Sequence, residues 1–97
     1  MGSSFRLNPR AKADLEGIFL YTLQMWSAAQ ADRYVLDLEK AFLALAQAPE
    51  IGQSIDRIRA GYQKFSVRSN LIIYRRRMHG IEIMRVLHQR MDILGHL

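Results

Sequence analysis

Residues 81–92, IEIMRVLHQRMD, constrain this chain most, because an alternating apolar run passes directly into a cluster of arginine and histidine. At period two, Ile81, Ile83 and Leu87 fall on one face and Met84 and Val86 on the other, while Arg85, His88, Arg90 and Asp92 gather at the carboxyl end. A strand that is apolar on both faces belongs inside a sheet. The rest of the chain must then supply its flanking strands and the elements that cover them.

Taken in order, Phe5, Arg6 and Leu7 read as a short strand, and Asn8-Pro9 reads as a helix start, with asparagine as the cap and proline at the first helical position. Ala11, Leu15, Ile18, Thr22 and Met25 recur at helical spacing, widened by Phe19 and Trp26, which predicts a helix over residues 9–26. Ser27 followed three residues later by Gln30 is a capping-box pattern, so a second helix opens at once. Ala31, Tyr34, Val35, Leu38, Phe42 and Leu45 carry its stripe until Pro49 and Gly52 end it. So short a joint makes the two helices an antiparallel hairpin. Both stripes are core packing, and Trp26 and Tyr34 are the two aromatics expected to be partly wet.

Residues 50–61 carry Gly52, Ser54 and Gly61 among isoleucines and charges, and read as an ordered connector. Three strands follow, over residues 62–67, 70–76 and 81–88, joined by tight turns at Arg68-Ser69-Asn70 and at Met78-His79-Gly80, the second with a glycine where a positive φ is wanted. They form an antiparallel meander whose edge the amino-terminal strand can join. The fold class is α+β: a helical hairpin packed on a small antiparallel sheet, in the order βααβββ. Residues 89–97 are too short to assign, and a turn of helix and a tail both stay open.

Composition sets outer bounds. With 97 residues at 49% hydrophobic, the chain is one small domain with material for a single core. It has no cysteine, so disulfides and thiolate metal sites are excluded, and three scattered histidines lack ligand spacing; no metal and no cofactor is expected. No apolar run approaches the roughly 18 residues of a membrane span, and no signal pattern opens the chain, so a soluble cytoplasmic protein is expected. The net charge of +5 is uneven: residues 1–60 hold seven cations against seven carboxylates, whereas residues 61–97 hold seven against two. That excess suits an acidic partner or nucleic acid, although arginines such as Arg75, Arg76 and Arg77 also deter edge-to-edge aggregation of strands.

The opening LNPRAKADLEGI, the WSAAQADRY at the second helix, the DRIRAGYQKF connector, the NLIIYR strand and above all IEIMRVLHQRMD resemble the ParE toxins of bacterial ParD/ParE toxin–antitoxin modules, over nearly the whole chain. The resemblance implies the RelE/ParE-like fold and a cytoplasmic protein that inhibits DNA gyrase and blocks replication. It also implies neutralisation by a ParD-like ribbon-helix-helix antitoxin whose tails wrap the toxin, and a hetero-oligomer that touches operator DNA through the antitoxin. On this reading the protein is not an enzyme and has no catalytic residues. Toxicity and target contact are expected at Arg85, His88, Arg90 and Asp92, and antitoxin binding around Tyr62, Phe65, Tyr74, Arg75 and Arg85.

Two alternatives stand beside it. The RelE branch of the same superfamily cleaves messenger RNA on ribosomes, which needs a general base, a general acid and cations on the phosphate. Glu82 and His88 share a face by parity, with Arg85 opposite, and could serve with Arg75 and Tyr74; the absence of a tyrosine after Tyr74 counts against this. The other alternative is an inactive toxin that only holds its antitoxin.

Overall fold

A computed structural model describes residues 4–91 and 93–97 of the chain. Helix α1 (Pro9–Met25) starts where the sequence marks it: the Asn8 side chain accepts a hydrogen bond from the Arg10 N–H at 2.9 Å, and Pro9 occupies a position that needs no donor. Helix α2 (Ala28–Gln47) follows after two residues, with the Ser27 hydroxyl accepting from the Gln30 N–H at 3.1 Å. A 3₁₀ turn at Pro49–Ile51 ends the hairpin.

Five strands form one sheet: β1 (Ser4–Leu7), β2 (Gln53–Ser54), β3 (Tyr62–Val67), β4 (Asn70–Arg77) and β5 (Gly80–His88), in the order β1-β5-β4-β3-β2. The meander β3-β4-β5 is antiparallel as expected, and β1 joins its edge, but it runs parallel to β5, with Ser4 opposite Gly80 and Leu7 opposite Ile83. The connector contributes the short β2, which extends the far edge beyond the strands legible in the sequence. Gly80 is required by the close approach of β1: its φ is +154°, and a Cβ there would stand 1.9 Å from the Ser4 carbonyl oxygen.

One detail of β5 differs from strict alternation. Ile73 lies opposite Arg85 and Tyr74 lies opposite Ile83, so Met84 is an extra residue, a β-bulge. The bulge reverses parity. Ile81, Ile83 and Val86 all face the helices, whereas Met84 and Leu87 belong to the other side of the sheet; the expected grouping of Leu87 with Ile81 and Ile83 is therefore corrected.

The apolar material is also divided differently from the single core expected. The larger cluster lies between helices and sheet and includes Leu38, Phe42, Leu45, Ile72, Tyr74, Ile81 and Ile83. A second one, on the opposite face, joins Ile55, Tyr62, Leu71, Ile73 and Leu87, with Ile58, Ile93 and Leu97 laid over it. Strands apolar on both faces need two covers. The hairpin supplies one; the connector and a carboxy-terminal helical turn, α3 (Ile93–His96), supply the other.

Candidate functional site

The carboxyl half of β5 becomes a sheet edge because β1 stops opposite Ile83, and an uncovered edge leaves amides without partners. Asp14 on α1 closes it. Its carboxylate accepts the Val86 N–H at 2.9 Å and forms a two-point pair with Arg85, Nε at 2.8 Å and Nη2 at 2.9 Å. Arg85 Nη1 donates to the His96 carbonyl at 2.8 Å, which ties α3 to the same corner. Its side chain is only 12% exposed, and the hydrogen bonds it donates to Asp14 raise its pKa further, against the opposing effect of burial. Arg85 thus holds the fold together and offers little to a partner, contrary to its expected place in both contact sets.

Beyond His88 the chain turns. The Arg90 N–H donates to His88 Nδ1 at 3.1 Å, and Gln89 reaches back to the first hairpin through bonds to the Ser69 and Arg68 carbonyls. His88 and Arg90 are exposed side by side on this turn, as a contact site requires. Asp92, the fourth expected contact, lies outside the described residues.

His88 and Met91 form one wall of a cleft of about 560 Å³; Tyr21 of α1, Trp26 at its carboxyl cap and Tyr34 of α2 supply its aromatic lining. Its floor is fixed by Asn70, which is buried: Tyr34 donates its phenolic proton to Asn70 Oδ1, and Asn70 Nδ2 donates to the Leu87 carbonyl at 3.2 Å. Arg68 stacks over the Tyr34 ring at 5.2 Å and pairs with Asp37 through Nε at 2.9 Å. These bonds let Arg68 hold a φ of 52°, unusual for a residue with a Cβ.

The expected antitoxin surface does not assemble. Tyr74 is fully buried, its hydroxyl donating to the Pro49 carbonyl at 2.7 Å and its pKa raised by burial. Tyr62 is buried on the opposite face of the sheet, while Phe65 packs half-buried on the helix side. Arg75 is held, with Arg77, on Glu82 Oε1 at 3.0 Å. Burial pushes the Glu82 carboxyl up, but hydrogen bonding and charge from Arg75, charge from Arg77 and a bond from Asn8 outweigh it, and the net pKa is lowered. The bulge places Glu82 and His88 on opposite faces, so they cannot act on one phosphate, and the parity argument for a nuclease pair fails.

Sequence reasoning missed an exposed apolar ridge on the hairpin. Leu20, Tyr21, Leu23, Met25 and Trp26 crowd the carboxyl half of α1, with Leu36 and Leu43 on α2; Leu20 is 56% exposed and Trp26 71%. A shallow apolar groove between Leu15, Phe19, Leu20 and Val35 adjoins them. The signal was present in residues 18–26, IFLYTLQMW, which are apolar nearly all round and so exceed what one face can bury.

The overall architecture is shared with a solved structure described as the chromosomal ParDE TA system from P. aeruginosa, at a TM-score of 0.76 and 19% identity, covering 89% of this chain and 95% of that one. This defines the fold class: an α+β domain with a helical hairpin packed on a five-stranded sheet. Residues 5–93 match the family model for the ParE toxin of type II toxin–antitoxin systems, parDE. Among curated relatives, Toxin ParE1 of Mycobacterium tuberculosis is 43% identical over 94 residues, covering 96% of each chain. Toxin ParE1 of Caulobacter vibrioides is 40% identical over 93 residues, again 96% of each. The chain belongs to the ParE toxin family of type II toxin–antitoxin systems.

Proposed function

We propose that this toxin inhibits DNA gyrase, blocks replication, and is neutralised by a ParD-like ribbon-helix-helix antitoxin that covers the helical hairpin. Family membership supports the first part. The observation that carries the second is the exposed ridge of Leu20, Tyr21, Met25 and Trp26 on a chain of 97 residues, continuous with the aromatic cleft beside His88. Contiguous exposed apolar surface of this kind marks a protein interface, and an amphipathic segment laying apolar anchors into a groove is the occupant that fits it. His88, in the wall of the same cleft, and Arg90, exposed two residues further on, are the target-contact residues of this reading. An antitoxin on the ridge then blocks the target sterically. Through the antitoxin's own DNA-binding half, the complex reaches operator DNA as a hetero-oligomer in the cytoplasm. The toxin acts by binding and not as an enzyme.

Separated variants test this. In bacteria expressing the chain with a ParD-type antitoxin, Leu20→Ser combined with Trp26→Ser is expected to keep growth arrest and lose antitoxin rescue and co-purification. His88→Ala combined with Arg90→Ala is expected to lose arrest and keep co-purification. Co-purification undiminished in the ridge variant would refute the placement of the antitoxin.

A further inference from the structure

On the face of the sheet away from the hairpin, a separate cavity of about 210 Å³ opens where the first turn of α1, the connector and α3 meet. Arg10, Arg59 and Arg85 line it together with His96, against a wall of Tyr62 and Met84. The three guanidinium groups come from three distant parts of the chain. Arg85 is matched by Asp14, but no ion pair engages Arg10 or Arg59 among the described residues. Glu82, which Asn8 reaches from the cavity wall, is already shared by Arg75 and Arg77. Arg59 is pre-positioned by stacking over the Tyr62 ring, with its Cζ 5.4 Å from the centroid, so less side-chain freedom is lost when its fork is used.

We propose that this cavity is a binding site for a phosphomonoester group. Its volume is below the roughly 300–1,000 Å³ of sites for drug-sized molecules, which points to one compact group. Charge selects the group. Arg10 and Arg59, with His96 beside them, suit a phosphomonoester carrying about −1.5 to −2 at pH 7, whose three oxygens can face the two guanidinium groups and the imidazole. A carboxylate or a phosphodiester brings a single negative charge and only two free oxygens to share among these groups. The site lies across the sheet from the cleft and ridge and does not depend on the gyrase or antitoxin reading.

The test uses the full chain at low ionic strength, following arginine Nε–Hε and His96 ring resonances by NMR during titration with inorganic phosphate, adenosine 5′-monophosphate, adenosine or acetate. Phosphate is expected to shift the Arg10, Arg59 and His96 signals saturably, and Arg59→Gln or Arg10→Gln to weaken binding roughly ten-fold, about 1.4 kcal/mol. Both side chains are exposed, and unchanged melting temperatures will show that the variants fold. Tighter binding of the mononucleotide than of phosphate identifies a nucleotide as the source of the group; equal binding identifies the bare phosphate. The proposal is overturned by the absence of a saturable shift, by undiminished binding in both variants, or by acetate or adenosine reproducing the phosphate response.

Discussion

Asp14 is the residue on which the carboxyl end of β5 depends. One carboxylate, 71 positions from its arginine partner, neutralises Arg85 and also occupies the Val86 amide that β1 leaves open. Asp14→Ala would strand a guanidinium that is 12% exposed together with an edge amide, and the expected loss is about 3 kcal/mol, read from the midpoint of denaturant unfolding. Glu82 gives a pH signature. Its pKa in the folded chain lies below the value of about 4.3 for an unfolded glutamate, so its contribution is complete above that pH and is lost as pH falls toward the folded value. Melting temperatures from pH 7 to pH 3 should therefore fall more steeply in the wild type than in Glu82→Gln. Asp14 did not stand out in the sequence, and Glu82 did so only as a nuclease candidate, because each acts through a partner that only the fold brings near.

Among the elements, the helices were the most legible. Asn8 and Ser27 cap them as their side chains suggest, and both start within two residues of the expected positions. The bulge in β5 was not legible, because Met84, Val86 and Leu87 are all apolar and either parity satisfies an apolar-in rule. The connector hid a constraint of similar kind. A Cβ at Gly52 would sit 1.9 Å from the Tyr74 hydroxyl, which is itself bonded to Pro49, so Gly52→Ala must displace a buried phenol. A loss of about 1–3 kcal/mol is expected there. Gly80→Ala should cost more, because it meets Ser4 backbone and not a side-chain end, and it should expose the β1–β5 amides to hydrogen exchange.

For the whole molecule, the distribution of charge misleads when read along the chain. The excess of cations sits after residue 60, yet Arg68, Arg75, Arg77 and Arg85 are all spent on carboxylates of the chain itself. Among the unpaired guanidinium groups are Arg10 and Arg59, from the half that sums to zero. The contact residues expected from resemblance fare unevenly for the same reason: His88 and Arg90 are exposed, whereas Tyr62, Tyr74 and Arg85 are enclosed by packing that no linear pattern reveals. Of the exposed large hydrophobic side chains among the described residues, most lie on or next to α1 and α2. Leu20→Ser with Trp26→Ser should change folding stability by about 0.5 kcal/mol per site or less, since both are over half exposed, while antitoxin affinity falls by about 2 kcal/mol or more. Thermal melts and calorimetric titration separate the two effects.

The most direct test of the toxin assignment is a supercoiling assay with purified gyrase, relaxed plasmid and the purified chain, run beside a ribosome assay on translated messenger RNA. Gyrase inhibition is expected, with supercoiling lost or cleaved DNA trapped, relief on adding a ParD-type antitoxin, and intact RNA. Unimpaired supercoiling accompanied by cuts in the messenger RNA would contradict the account and assign the chain the chemistry of the RelE branch.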